Sequence, residues 1–203
     1  MKILVLHLSL LFLSFSINAK QVFLGPSNNS QEEIQEALID LEPGDILTLK
    51  PGEYFFEDGL SLDIDDVIFE GSGIDETILN FENQMSGAQG LLVTSNGVTI
   101  RDFAVLDAKG DAIKVIGADG IKMIRLRTEW TGGPKETNGA YGFYPVESKD
   151  VLIDGCVAIG ASDAGIYVGQ SQNIIVKNSI AQYNVAGIEI ENSFYADVFD
   201  NLA

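Results

Sequence analysis

The chain has 203 residues, 46% of them hydrophobic, and carries 30 acidic against 12 basic side chains for a net charge of −18. That length suits one domain with a real core or part of a longer solenoid, and that charge argues against nucleic acid and anionic membrane surfaces as partners. Cys156 is the only cysteine, so an intramolecular disulfide is excluded and packing has to supply the stability.

Residues 1–19 read as a signal peptide. Lys2 gives the positive start, Ile3 to Ile17 is a short apolar run, and Ala19 offers a small residue for cleavage. The run is too short for a comfortable membrane span. The expectation is a bacterial protein exported to the periplasm or the medium, with residues 20–203 as its mature domain and no stable membrane insertion after cleavage. Removing the segment leaves 11 basic and 30 acidic residues and takes away His7, the only histidine. A helix follows. Ser30 with Glu33 forms a capping box, Ile34, Ala37, Leu38 and Leu41 share one face, and Pro43-Gly44 ends it. An open solenoid end needs a cover, and this helix is placed to be that cap.

From Asp45 short strand runs begin: ILTL, a Pro51-Gly52 turn, YFF and LSLDI, then a longer coil over Asp66 to Gly97. From Val98 the chain repeats itself. Blocks start at Val98, Ile121, Val151, Ile174 and Asp197, separated by 23, 30, 23 and 23 residues, with an insertion around WTGGPKET in the long one. Such a period means stacked units, and short alternating runs without helical spacing make them coils of parallel strands. Ile113, Phe143, Ile166 and Ile188 form one predicted inward stack, with a one-residue slip in the last coil. Asp102, Gly155, Asn178 and Asn201 fall at an equivalent turn and tolerate left-handed geometry. Arg125 breaks that pattern, so its coil is expected to turn differently. The last block, DVFDNLA, supplies only the opening of a coil and leaves Ile188, Ile190 and Phe199 uncovered, so further coils are expected beyond Ala203.

IQEALIDLEPGDILTLKPGEY followed by VIFEGSGIDETIL resembles the opening of right-handed parallel β-helix proteins, a group that includes pectin-active enzymes. GIYVGQSQNIIVKN and GIEIENS resemble the carbohydrate-binding β-helix repeats of mannuronan epimerases and of the copper-reductase accessory protein NosD. The fullest likeness is to bacterial parallel β-helix repeat proteins, to which no single function attaches. The resemblance spans Ser30 to Ala203. It implies an all-β, right-handed, single-stranded parallel β-helix with an N-terminal capping α-helix, and it is specific for fold rather than activity.

In that fold the GIYV-type strand lines the binding groove. Alternation points Lys114, Tyr144, Tyr167 and Glu189 outward on four adjacent rungs, a strip suited to sugar rings, with a polysaccharide or oligosaccharide as partner. The inserted loop carries Trp130, Lys135 and Glu136, leads into Tyr141, and is expected to overhang the strip with Trp130 as a further carbohydrate contact. The resemblance also implies lyase or epimerase chemistry, proton abstraction beside a uronic-acid carboxylate, for which Lys114, Tyr144, Arg125 and Arg127 are the available groups. The Asp-Pro-His-Asp pattern of the epimerases is absent, and no histidine of the mature chain can replace it. Asp111 and Asp163 precede equivalent strands and only faintly echo a hydrolase pair. Calcium is the one cofactor that the acidic turns at Asp107, Asp111, Glu147 and Asp150 raise, but their spacing matches no calcium loop, and no metal site is expected. The competing reading is a non-enzymatic periplasmic solenoid, an accessory of a redox or metal-handling system.

Overall fold

The structure, a computed structural model, describes residues 19–203, so the segment read as a signal peptide lies outside the described residues apart from Ala19. The rest is a right-handed parallel β-helix of three sheets. The first sheet stacks eight strands, Gln21–Leu24, Ile46–Leu49, Ile68–Glu70, Thr99–Arg101, Lys122–Ile124, Lys149–Asp154, Gln172–Lys177 and Phe194–Phe199. The second stacks six, from Gly52–Phe55 to Ile180–Gln182, and the third six, from Leu60–Leu62 to Ala186–Glu191. Each full coil visits the three sheets in turn, so a strand inside the stack pairs with the same strand of the coils above and below.

That register creates the core. On the third sheet Leu60, Leu91, Ile113, Phe143 and Ile166 stack inward in consecutive pairs, all fully or almost fully buried, and Ile188 continues the row. Each such side chain contributes about 1.5–3 kcal/mol by burial. Aromatic residues stack the same way nearer the start. The Phe56 and Phe81 rings lie 4.8 Å apart and nearly parallel, and Phe69 and Phe103 5.0 Å apart.

The solenoid begins earlier than Asp45. Gln21–Leu24 already pairs with Ile46–Leu49, turning Val22 and Leu24 toward the core, and the helix is inserted between these two strands. The four-residue run is too short to stand out in the sequence. The helix, Ser30–Ile39, buries Ile34 and Leu38 as its pattern requires. Its start is built on Ser27 rather than on a Ser30–Glu33 box. Ser30 is the first helical residue, and its hydroxyl donates to Ser27 O at 2.9 Å, while the Ser27 hydroxyl donates to Glu33 Oε2 at 2.9 Å. The helix also covers a strand edge with side chains. Gln35 donates to Ser61 O at 3.0 Å and accepts from Ser61 N–H at 2.9 Å, and Gln31 accepts from Asp58 N–H at 3.1 Å.

The turn after the first sheet departs from expectation twice. Arg125 is no exception, because it takes φ 47°, the left-handed conformation shared by Asp102, Gly155 and Asn178. Its guanidinium reaches back one coil and donates to both Asp102 oxygens at 2.7 Å. The slip at Ile188 also carries through to the next strand: Ile174 pairs with Ala196 and Val176 with Val198, so Asp200 occupies the turn, with φ 54°. Asn201 sits one place further on, where its side chain accepts from Ser179 N–H and donates to Val176 O.

Candidate functional site

Outward positions on the third sheet carry Ser61, Leu92, Lys114, Tyr144, Tyr167 and Glu189, each beside the next in register. Strand alternation places them there because their neighbours in sequence fill the core. The inserted segment then delivers a third ring. Tyr141 lies 4.6 Å from Tyr144 and 4.7 Å from Tyr167 between ring centroids, and the Tyr144 and Tyr167 rings meet edge-on at 5.3 Å. Three half-buried phenols thus make one continuous surface.

Two glycines shape it. Tyr167 leans along its strand over Gly169, where an added Cβ would stand 2.7 Å from Tyr167 Cε1. That tilt lets the Tyr167 hydroxyl donate to Glu191 Oε2 on the next rung at 2.7 Å. Gly139 serves the loop, since a Cβ there would collide with Gly110 O and with the Trp130 ring. Trp130 itself is not on the strip. It is 5% exposed, packed in the core, with its indole N–H donating to Ala108 O at 2.7 Å. The residue that looked like an overhanging platform is the anchor that pins the inserted segment, leaving Tyr141 as the contact surface.

Carboxylates surround the rings. Lys114 Nζ is 4.5 Å from the Tyr144 centroid and 3.7 Å from Asp111 Oδ2. Burial pushes the Asp111 carboxyl up from its ordinary value, against the pull of Lys114 and of a backbone hydrogen bond at Tyr141. The Tyr141 phenol is pushed up to about 12, by burial first and by Asp163 beside it second. Tyr144 shifts up through burial, then Asp111 and Glu147. Tyr167 shifts up chiefly because its hydroxyl is bound to Glu191. All three stay protonated across the neutral range; Tyr167 gives its proton to Glu191 and offers a ligand only its oxygen as acceptor.

Arg125 and Arg127 do not join Lys114 and Tyr144. Arg125 is at the corner after the first sheet, on Asp102. Arg127 is on the second sheet, with Nη1 donating to Glu129 at 2.7 Å and Nη2 to Ile74 O at 3.1 Å. Lys135 and Glu136 line a shallow depression with Pro134, Ser162 and Asn184 beside the inserted segment. Among the described residues, no group of three or more His, Cys, Asp or Glu side chains is placed to hold a metal. Of the acidic turn residues, Asp107 binds Thr131, and Asp150 binds Asn173 and Lys149. Cys156 is fully buried, its thiol pushed up to about 12 by desolvation and donating to Met123 O. Glu191 escaped sequence reasoning, although it lies two residues beyond Glu189 on the same face.

A family model described as "Right handed beta helix region" matches residues 66–203. No curated protein matches the chain. Among solved structures, the chain is similar to the catalytic domain of GH87 alpha-1,3-glucanase, with TM-score 0.66, 17% identity, 85% of this chain covered and 31% of that one. It is also similar to alginate lyase from Paenibacillus sp. str. FPU-7, with TM-score 0.61, 16% identity, 90% of this chain and 75% of that one. The mannuronan C-5 epimerase A-module of Azotobacter vinelandii gives TM-score 0.58, 19% identity, 84% of this chain and 51% of that one. The chain therefore spans about a third of the first of these and half of the third. At these identities the likeness is one of fold.

Proposed function

This chain belongs to the right-handed β-helix family, and on that premise we propose that it is an exported carbohydrate-binding solenoid that holds a polysaccharide across the outer face of its third sheet. The observation that carries the reading is the tyrosine cluster: Tyr141, Tyr144 and Tyr167 pool their rings on one surface within 5.3 Å of one another. Aromatic faces supply apolar area for sugar rings, and protonated hydroxyls at their rims supply directional hydrogen bonds. Lys114 and Glu189 flank the rings on the neighbouring rungs. The fold neighbours named above act on polysaccharides, which makes sugar polymers the first ligands to test. Export to the periplasm or medium rests on residues 1–19 alone.

The state of the phenols speaks against a tyrosine as the base of lyase or epimerase chemistry. A base that removes a sugar proton at neutral pH needs a pKa near 7, and each tyrosine here is displaced upward. Lys114, the one cation on the strip, already faces Asp111. An accessory role in redox or metal handling has no supporting contact in this site.

A glycan array with residues 20–203, followed by calorimetry on the hits, tests the proposal. Changing Tyr144 and Tyr167 together to Ala should weaken binding at least about tenfold, the loss of about 1.4 kcal/mol or more expected for two central aromatic contacts. Unchanged affinity in a folded double variant rejects the strip. Release of unsaturated sugar from any hit, read by absorbance, would show that the site is catalytic after all.

A further inference from the structure

The charges around the tyrosines also say which polysaccharide fits. Five carboxylates bear on the three rings. Asp111 lies beside Lys114 and Tyr144, Glu147 acts on Tyr144, Asp163 is held next to Tyr141 by its N–H bond to Ala140 O, Glu191 accepts from Tyr167, and Glu189 pairs in register with Tyr167. Against them stands one ammonium, Lys114, with Lys135 on the inserted segment beyond. A polymer of uronic acids would bring a carboxylate per sugar into this field, where the one ammonium among the rings already faces Asp111.

The protein shows what the surface does hold. The Lys114 ammonium rests over the Tyr144 ring at 4.5 Å with Asp111 at 3.7 Å, so a ring face and a carboxylate together bind a primary ammonium. The following rungs repeat those parts without a lysine. The positions equivalent to Lys114 are Tyr144, Tyr167 and Glu189, and the Tyr141 and Tyr167 rings stand beside Asp163 and Glu191. We propose that the sugar bound here is a hexosamine polymer with free amino groups, its ammonium groups seated against the tyrosine rings within reach of the carboxylates, as the Lys114 ammonium is. This rests on the carbohydrate-binding reading above and adds the class of sugar.

The test compares three hexamers on residues 20–203 by calorimetry at about pH 5.5, where the hexosamine amine and ordinary carboxylates are both charged. Fully deacetylated chitosan hexamer should bind at least about tenfold tighter than its N-acetylated counterpart, with mannuronate hexamer weakest. The Asp163→Asn, Glu191→Gln double variant should lose that preference. A polycation also adheres to any acidic protein, so Tyr144→Ala with Tyr167→Ala is the deciding control. It keeps every charge, and should lose chitosan binding while still binding polylysine as the parent does. Tyrosine-dependent binding in which the acetylated or mannuronate hexamer equals chitosan overturns the amino-sugar inference and leaves the strip in place. Chitosan binding indifferent to the tyrosines, or no binding of any hexamer, overturns both.

Discussion

Single residues in this solenoid are set by backbone geometry as much as by chemistry. Arg125 and Gly155 occupy the same left-handed turn on successive coils, with φ 47° and 65°. A side chain there costs about 1–2 kcal/mol, and glycine avoids it. Gly155→Ala should therefore destabilise by about 1 kcal/mol in urea unfolding, since its Cβ would meet only Arg125 Cγ at an ordinary 3.5 Å. Arg125→Gly should fall close to the parent, because the strain it relieves offsets a surface ion pair of small worth. Trp130 makes the opposite point. As the only tryptophan, buried and bound to Ala108, it should give blue-shifted emission that glycan binding leaves unchanged. Trp130→Ala should cost about 3–5 kcal/mol, the loss typical of a buried tryptophan. Sequence alone placed Trp130 on the ligand side because it opens a Gly- and Lys-bearing insertion. Its indole instead fills the space that Gly139 leaves by lacking a side chain and donates to Ala108 O, a contact that joins separate stretches.

Among the elements, the strands were legible and their joints were not. The inward row from Ile113 to Ile188 and the outward row from Lys114 to Glu189 follow from alternation and a fixed period, and the structure has both. The strand at Gln21–Leu24, the Ser27-based start of the helix and the place of Asp200 in the last turn were missed, because the first two depend on tertiary partners and the third on carrying the slip at Ile188 through to the next strand. The helix joint yields a prediction about acid. Asp45 is buried, and its carboxylate accepts from Glu42 N–H at 2.9 Å and Lys20 N–H at 2.7 Å. These bonds, Glu42 first, hold its pKa below the ordinary 3.8. A carboxyl lowered on folding stabilises above its unfolded pKa, and that stability is lost as pH falls through the folded value. Asp45→Asn should therefore lower the unfolding midpoint at pH 7, and its deficit against the parent should shrink below about pH 4. Cleavage between Ala19 and Lys20 would turn the Lys20 amide into an α-ammonium facing Asp45, so the processed chain should show a larger deficit than one extended at Lys20.

At the scale of the molecule, coil stacking and net charge pull in opposite directions. The strand Phe194–Phe199 pairs with Gln172–Lys177 on one side and with no strand on the other among the described residues. Its inward members Ala196 and Val198 continue the row of Ile174 and Val176, yet Val198 is 45% exposed, and Phe194, Phe199 and Leu202 nearby are also exposed. Unpaired backbone groups beside apolar side chains make a template for another strand. Opposing this is a chain with 30 acidic and 12 basic residues, which repels its own copies over roughly a Debye length. The balance gives a signed expectation. Residues 20–203 should stay monomeric in sedimentation at about 10 mM salt, where repulsion reaches ~30 Å, and associate with rising concentration at about 0.5 M, where screening removes it. Val198→Lys puts a charge into the open row without touching the strip, and should hold the protein monomeric at both salts. Association that falls as salt rises would mean charge contacts, rather than this uncovered rung, bring the copies together. Association left intact by Val198→Lys would place the contact elsewhere on the solenoid.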